Sequence, residues 1–442
     1  MARFDSNEHI RWLSYRMHQV LEYGHKAFLP GGYGYINADG SVDESKPVEM
    51  DLTARSTYIY ALGVSLGIPG SLRRCEHGIR ALTHAFKDSE FGGWFTFINP
   101  LSEREMLSNV PGTPAGKSGQ RKSSRPMSYL LEASAAATIA KVPGAKELLD
   151  EAIEIEEKYF WDESVGRVND NFERDFSAME PYHGMSSNLH AVSAFLTIAD
   201  ATGEDKWIER AQRIVSFAIE EASKNNWRVP EHYDINWQID KEYNVGTPAD
   251  PRRPYGINIG HCFAWSRRVV QVSAALAHLG KSLPKGFIEA AFQIFDRAAA
   301  DSWRKEGRSG FLFTVDYEGK PLMRQHFSWV ASEALQAATA LGFTLAERSA
   351  DDAEIDRYLD LYNRWWDFLE GYVIQPDGYW VGELNPNNKP DDTVWPGAPD
   401  IYHSVRVLLA PRLPNTPSKP AAIAAGMLDH PVAHEFHDAI WV

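Results

Sequence analysis

Cysteine is nearly absent: Cys75 and Cys262 are the only two in 442 residues. A disulfide framework or thiolate metal cluster is excluded beyond a single pair. No stripe of Lys and Arg exists, and a formal charge of −15 disfavours a polyanionic partner, which needs concentrated positive charge. The nearest basic run, Lys117 to Arg125, lies among Ser and Gly and reads as a solvated loop. No apolar run reaches the roughly 20 residues of a membrane span. The start, Met1-Ala2-Arg3-Phe4-Asp5, lacks the apolar stretch of a secretory signal. A cytoplasmic location is expected, with neither nucleic acid nor membrane as partner. Two catalytic signatures are missing as well. Gly112-Thr113-Pro114-Ala115-Gly116-Lys117-Ser118 has one residue too few between its glycines for a P-loop, and no strand precedes it. Short-range zinc spacings such as HExxH do not occur.

What is present is ordinary globular composition, 44% hydrophobic and 24% charged, which argues against disorder. The 14 Trp and 18 Tyr also suit carbohydrate, whose C–H faces stack on rings. Apolar residues recur at helical spacing over 7–27, 48–66, 71–87, 126–141, 145–159, 187–202, 205–223, 258–280, 286–302, 326–342, 351–370 and 400–411. After each odd segment comes a long, aromatic, Gly-rich stretch, such as Gly92-Gly93-Trp94-Phe95 or Gly378-Tyr379-Trp380-Val381. Turn residues Asp39-Gly40, Glu318-Gly319 and Asn385-Pro386 make short β-hairpins there plausible. After each even segment but the last the link is a few residues, as in Gly67-Ile68-Pro69-Gly70. Six such helix pairs close into a double ring. The expected fold is all-α, an (α/α)6 barrel with β-hairpins in the long loops at one end. One domain is expected over 1–412, with 413–442 as a C-terminal tail.

Histidines fall at one topological position in this repeat. His190 lies in the first turn of segment six, His261 opens segment eight, His326 starts segment ten and His403 starts segment twelve. Arg55 lies in the first half of segment two. With the even helices forming the inner ring, these five converge on one mouth. Each alone reads as a surface or structural residue; the joint placement is the signal. A helix N-terminus disfavours imidazolium and keeps histidine neutral near pH 7. A neutral imidazole accepts a proton from carbon next to a carbonyl, as sugar isomerisation requires. Arg55 can hold developing enediolate charge or a hydroxyl. Zinc binding by the four histidines is the lesser reading. Glu333, Glu383, Asp400 and Asp234 leave carboxylate-pair hydrolysis open, with nothing to select two of them.

As a set, the motifs resemble the N-acylglucosamine 2-epimerase superfamily, in its mannose isomerase and sulfoquinovose isomerase branch. The resemblance spans the chain to about residue 412. It rests on Thr53-Ala54-Arg55, Asn188-Leu189-His190, Arg253-Pro254-Tyr255-Gly256, Gly260-His261 through Trp265, Trp329 with Glu333, and Pro399-Asp400-Ile401-Tyr402-His403. It implies the same barrel, no metal or other cofactor, and interconversion of mannose with fructose through a cis-enediol. By carry-over, His403 is the C2/C1 proton shuttle and His261 assists ring opening and O1/O5 transfer. His190 and Arg55 bind the sugar, and Asn188, Arg253, Trp329 and Glu333 are further substrate-binding candidates. A free sugar is the expected partner, and a homo-oligomer is left open.

Two departures stand out. The family pattern after the helix-eight histidine is His-x-x-Glu-Trp, where this chain has Ala264. A Glu there shares the helix face of His261 and can orient it; Ala cannot. The chain is therefore expected to bind sugar but turn it over poorly, as a substituted copy or a natural variant, and Ala264→Glu is expected to raise kcat by orders of magnitude. Related enzymes also tend to carry Tyr and His where this chain has Arg125-Pro126-Met127. That region, with loop 107–125, is expected to set substrate choice or close over the site. The alternatives are a sugar 2-epimerase, a sulfoquinovose isomerase with Arg55, Arg125 or Arg253 holding the sulfonate, a glycoside hydrolase, and a non-catalytic sugar binder.

Overall fold

The computed structural model describes residues 6–37, 39–348, 350–395, 397 and 400–430. Twelve barrel helices follow the sequence periodicity. They are α1 (Asn7–Gly24), α2 (Met50–Ser65), α3 (Ser71–Arg80), α4 (Ser124–Ile139), α5 (Ala145–Ile155), α6 (Met185–Thr202), α7 (Lys206–Lys224), α8 (Ile259–His278), α9 (Phe287–Ser302), α10 (Ser328–Glu347), α11 (Asp352–Phe368) and α12 (Tyr402–Leu409).

The two sets differ in kind. The odd helices are amphipathic: α7 buries Trp207, Ile208, Ala211, Ile214, Val215, Ala218 and Ala222, spaced three and four apart. Even helices are buried nearly all round; in α2 every residue from Met50 to Gly63 is buried. A helix without a polar face needs neighbours on all sides. The even helices touch in sequence from α2 to α12, and α12 returns to α2, closing an inner ring. Each odd helix lies against the even helix before it, and α1 lies against α12. This is the expected (α/α)6 barrel.

The long loops gather at one end and interlock. The short strand entering each of five even helices pairs antiparallel with a strand from the following long loop. Val48–Glu49 pairs with Phe97–Ile98, Lys122–Ser123 with Asn171–Phe172, Tyr182–Gly184 with His232–Asp234, Ile257–Asn258 with Thr314–Val315, and His326–Phe327 with Glu383–Leu384. Local hairpins occur too, as Thr314–Val315 turns through Gly319 (φ +85°) to Pro321–Met323. The helix expected from residue 326 begins at Ser328, because His326 and Phe327 belong to that interlocked rim.

Some features go beyond the expected pattern. Helices α3, α5 and α11 end in π turns, Ala81–Ala85, Glu156–Phe160 and Leu369–Val373. Loop 107–125 contains a five-residue helix, Gly116–Gln120. Beyond 412 a short helix, Lys419–Ala424, lies against inner helices α2, α4 and α6. The rest of the expected tail, 431–442, and Pro399 lie outside the described residues. Cys75 and Cys262 are both buried and unbridged. No helix among the described residues is long and apolar enough to cross a membrane.

Candidate active site

The even helices deliver their first two turns to one cavity of about 1100 Å³, counted with its open mouth. Arg55 from α2, Tyr129 from α4, His190 from α6, His261 and Ala264 from α8, Trp329 and Glu333 from α10, and Asp400 and His403 at α12 all line it. Three of the four histidines therefore meet, together with Arg55.

Two of the rings are held alike. His261 Nδ1 lies 3.0 Å from both carboxylate oxygens of Glu231. His403 Nδ1 lies 3.2 Å from Glu333 Oε1. A carboxylate on Nδ1 draws the proton there and leaves Nε2 as the basic nitrogen; neither Nε2 has a hydrogen bond among the described residues. The Trp329 indole sits between the two, its centroid 5.5 Å from His261 and 5.8 Å from His403. Its position depends on Gly260, where a Cβ would come within 2.2 Å of the indole.

Charges around the rings are neutralised in pairs. Burial alone would raise the Glu333 carboxyl, but Arg267 and His403 hold it well below the usual range. Burial lowers His403, with Glu333 offsetting part of the effect. His190 is lowered well below its ordinary value by burial and by His261 and Arg55. Arg55 donates to Asp400 at 2.7 Å and to the Tyr129 hydroxyl at 2.6 Å. That hydroxyl, accepting from Arg55, donates in turn to His190 Nε2 at 3.0 Å. The result is two neutral imidazoles, His190 and His403, beside a fixed guanidinium, a set able to move protons between neighbouring carbons and oxygens.

Other expected residues lie elsewhere. His326 is buried in the rim, with Nδ1 2.7 Å from Asn388 Oδ1 and its ring packed on Gly310. It precedes α10 instead of facing inward from it, so the expected convergence of four histidines is corrected to three. Asn188 is spent on backbone, accepting from Val168 N and donating to Gly184 O. Arg253 is clamped to Glu180 at 2.9 and 3.0 Å, and its neighbour Arg252 reaches the cavity instead. Neither Asn188 nor Arg253 lines it. Arg125 does line it, paired with Asp51 at 2.6 Å.

Of the four carboxylates considered for hydrolysis, Glu383 and Asp234 do not line the cavity. Glu383 accepts from the backbone of Val394 and Trp395, and Asp234 from that of Asn236 and Gln238. Glu333 and Asp400 reach the cavity, each ion-paired with an arginine. Among the described residues no group of three or more His, Cys, Asp or Glu is arranged to hold a metal. Sequence reasoning missed Glu231, Tyr129 and the wall residues Trp380 and Trp395. Only the fold brings them to this place.

Comparison with known proteins gives matches that cover most of the chain. The family model for N-acylglucosamine 2-epimerase covers residues 31–407. A D-mannose isomerase of Thermobifida fusca is 36% identical, over 94% of this chain and 97% of its own. A D-mannose isomerase of Pseudomonas cannabina pv. alisalensis is 34% identical, over 95% and 96%. A crystal structure of a D-mannose isomerase superposes with TM-score 0.78 at 22% identity, over 92% of this chain and 98% of that one.

Proposed function

Since the chain belongs to the N-acylglucosamine 2-epimerase family, we propose that it is an aldose–ketose isomerase converting D-mannose to D-fructose. The observation that carries this reading is the pairing of His261 and His403 on one cavity, each with Nδ1 against a buried carboxylate and Trp329 between them. Two relatives named D-mannose isomerase, at 34 and 36% identity, support the choice of sugar.

In this mechanism the sugar ring opens with His261 moving the proton between O5 and O1. His403, neutral because it is buried, takes the C2 proton on Nε2. The electrons move into C1–C2 and give a cis-enediolate, whose charge on O1 faces Arg55. The proton of the C2 hydroxyl then passes to the neighbouring cis O1, and the imidazolium of His403, steadied by Glu333, delivers a proton to C1 as C2 becomes the ketone. His190 and Tyr129 hold sugar hydroxyls beside Arg55.

An uncharged sugar is favoured over sulfoquinovose. The arginines expected to hold a sulfonate, Arg55, Arg125 and Arg253, already face Asp400, Asp51 and Glu180. Hydrolysis is disfavoured because Glu333 stays ionised and cannot serve as the acid.

The test is incubation with D-mannose in D2O, with sugars separated afterwards. Fructose is the expected result, with deuterium at C1 to the extent that the His403 imidazolium exchanges with solvent before it protonates C1. Glucose as the main product would make the protein a 2-epimerase, and reducing sugar released from a mannan would make it a hydrolase. No product from any aldose would leave a sugar binder.

A further inference from the structure

Position 264 has no carboxylate, yet His261 is not without one. We propose that Glu231 is the positioning residue of His261, acting from behind the ring in place of a residue on α8. This rests on the isomerase reading only for the kinetic consequence; the contact itself does not.

Glu231 is tied down from two sides. Its backbone carbonyl accepts from Met185 N, at the start of α6, at 2.9 Å. The next three residues, His232–Asp234, pair with Tyr182–Gly184. The rim therefore fixes the Cα of Glu231, and its side chain, 4% exposed, reaches the first turn of α8. There both oxygens stand 3.0 Å from His261 Nδ1. Asn258 caps the same residue from below, its Oδ1 accepting from His261 N at 3.2 Å. Trp329 lies beside the ring. With the backbone, one ring nitrogen and one ring neighbour all set, the remaining nitrogen, Nε2, has one direction left.

Chemically this selects the Nδ1–H tautomer and stabilises the imidazolium formed when Nε2 takes a proton. Glu333 stands in the same relation to His403, from the neighbouring helix α10. The two differ in one respect: Glu333 lines the cavity, while Glu231 does not. Ala264, three residues after His261, does line it. The relocated carboxylate thus keeps the charge off the wall and leaves space where a longer side chain at 264 would stand. The low turnover expected from Ala264 is replaced by the opposite expectation, full dependence on Glu231.

The experiment uses the full chain with Glu231→Leu, Glu231→Gln, Ala264→Glu and the Glu231→Leu/Ala264→Glu double variant. Glu231→Leu is expected to lower kcat on mannose about 100-fold, at the upper end for a lost orienting partner, with KM within about threefold. The double variant is expected to regain at least about tenfold of that, and Ala264→Glu alone to bring no gain. Should Glu231→Leu fail to fold, Glu231→Gln, which keeps size and loses charge, decides with an expected loss of about tenfold. Nitrogen-15 NMR of the ring gives a readout independent of turnover: Nδ1–H in the parent, shifting toward Nε2–H in Glu231→Leu. An unchanged tautomer in Glu231→Leu, a kcat within twofold of the parent in the folded Glu231→Leu or Glu231→Gln variant, or a large gain from Ala264→Glu alone would each overturn the proposal. A parent inert toward mannose refutes the substrate instead, and the NMR result still decides the role of Glu231.

Discussion

At the scale of single residues, the site is a set of neutral bases whose neutrality has physical causes. Burial lowers His403 even though Glu333 pulls the other way. The base is needed in its unprotonated form, so kcat/KM on mannose is expected to hold through neutral pH and fall as pH drops through a value below 6.5, the ordinary histidine value. A pH–rate profile with its acid limb above 6.5 would contradict the assignment. Replacing the base is the sharper test. His403→Asn is expected to lower kcat by about 1000-fold or more, within the range for loss of positioned acid–base catalysis, with binding of mannose retained in equilibrium measurements. A His326→Asn variant, whose ring belongs to the rim, should change thermal stability and leave kcat within a few-fold. Comparing the two separates the histidines that meet in the cavity from the one that does not.

At the scale of elements, the inner helices work because small residues let large ones through. The clearest case is Gly260, where α8 gives way to Trp329 of α10. Gly260→Ala is expected to destabilise by about 1–3 kcal/mol, the usual cost of overpacking, and to lower kcat/KM by moving the indole that separates His261 from His403. Denaturant melts and mannose kinetics on one preparation check both parts. The π turn after α5 holds an unusual group of another kind. Both oxygens of Glu156 are buried with no hydrogen-bond partner among the described residues, and burial pushes its carboxyl up to about 8. A folded-state value above the ordinary 4.5 means that the native chain keeps a proton the unfolded chain has lost. The penalty is absent below about pH 4.5, grows as pH rises and is complete above pH 8. Glu156→Gln is therefore expected to raise Tm, with a gap to the parent that widens from pH 5 to pH 8. A gap independent of pH would show that the carboxyl is ionised throughout.

At the scale of the whole molecule, the barrel is closed twice: by α12 meeting α2 and by the chain beyond it. The helix Lys419–Ala424 buries Pro420, Ala422 and Ile423 against the inner ring. Arg412 is bound to Asp429 at 2.6 and 2.8 Å. Ending the chain after Arg412 is expected to lower Tm by several degrees through loss of this apolar burial; an unchanged melt would make the segment dispensable.

Residue order alone was enough for the twelve helices, their alternation of tight turn and long loop, and the presence of His190, His261 and His403 at the starts of inner helices. These are local properties: a period of 3.6 and the position of a side chain within its own turn survive being read in one dimension. The partners of those histidines were another matter. Glu231 lies 30 positions from His261 and Glu333 lies 70 from His403, and His326 sits at the same place in its repeat yet turns into the rim. Which carboxylate reaches which ring depends on how the loops pair across the mouth, and that pairing is a contact between distant segments that no local pattern encodes.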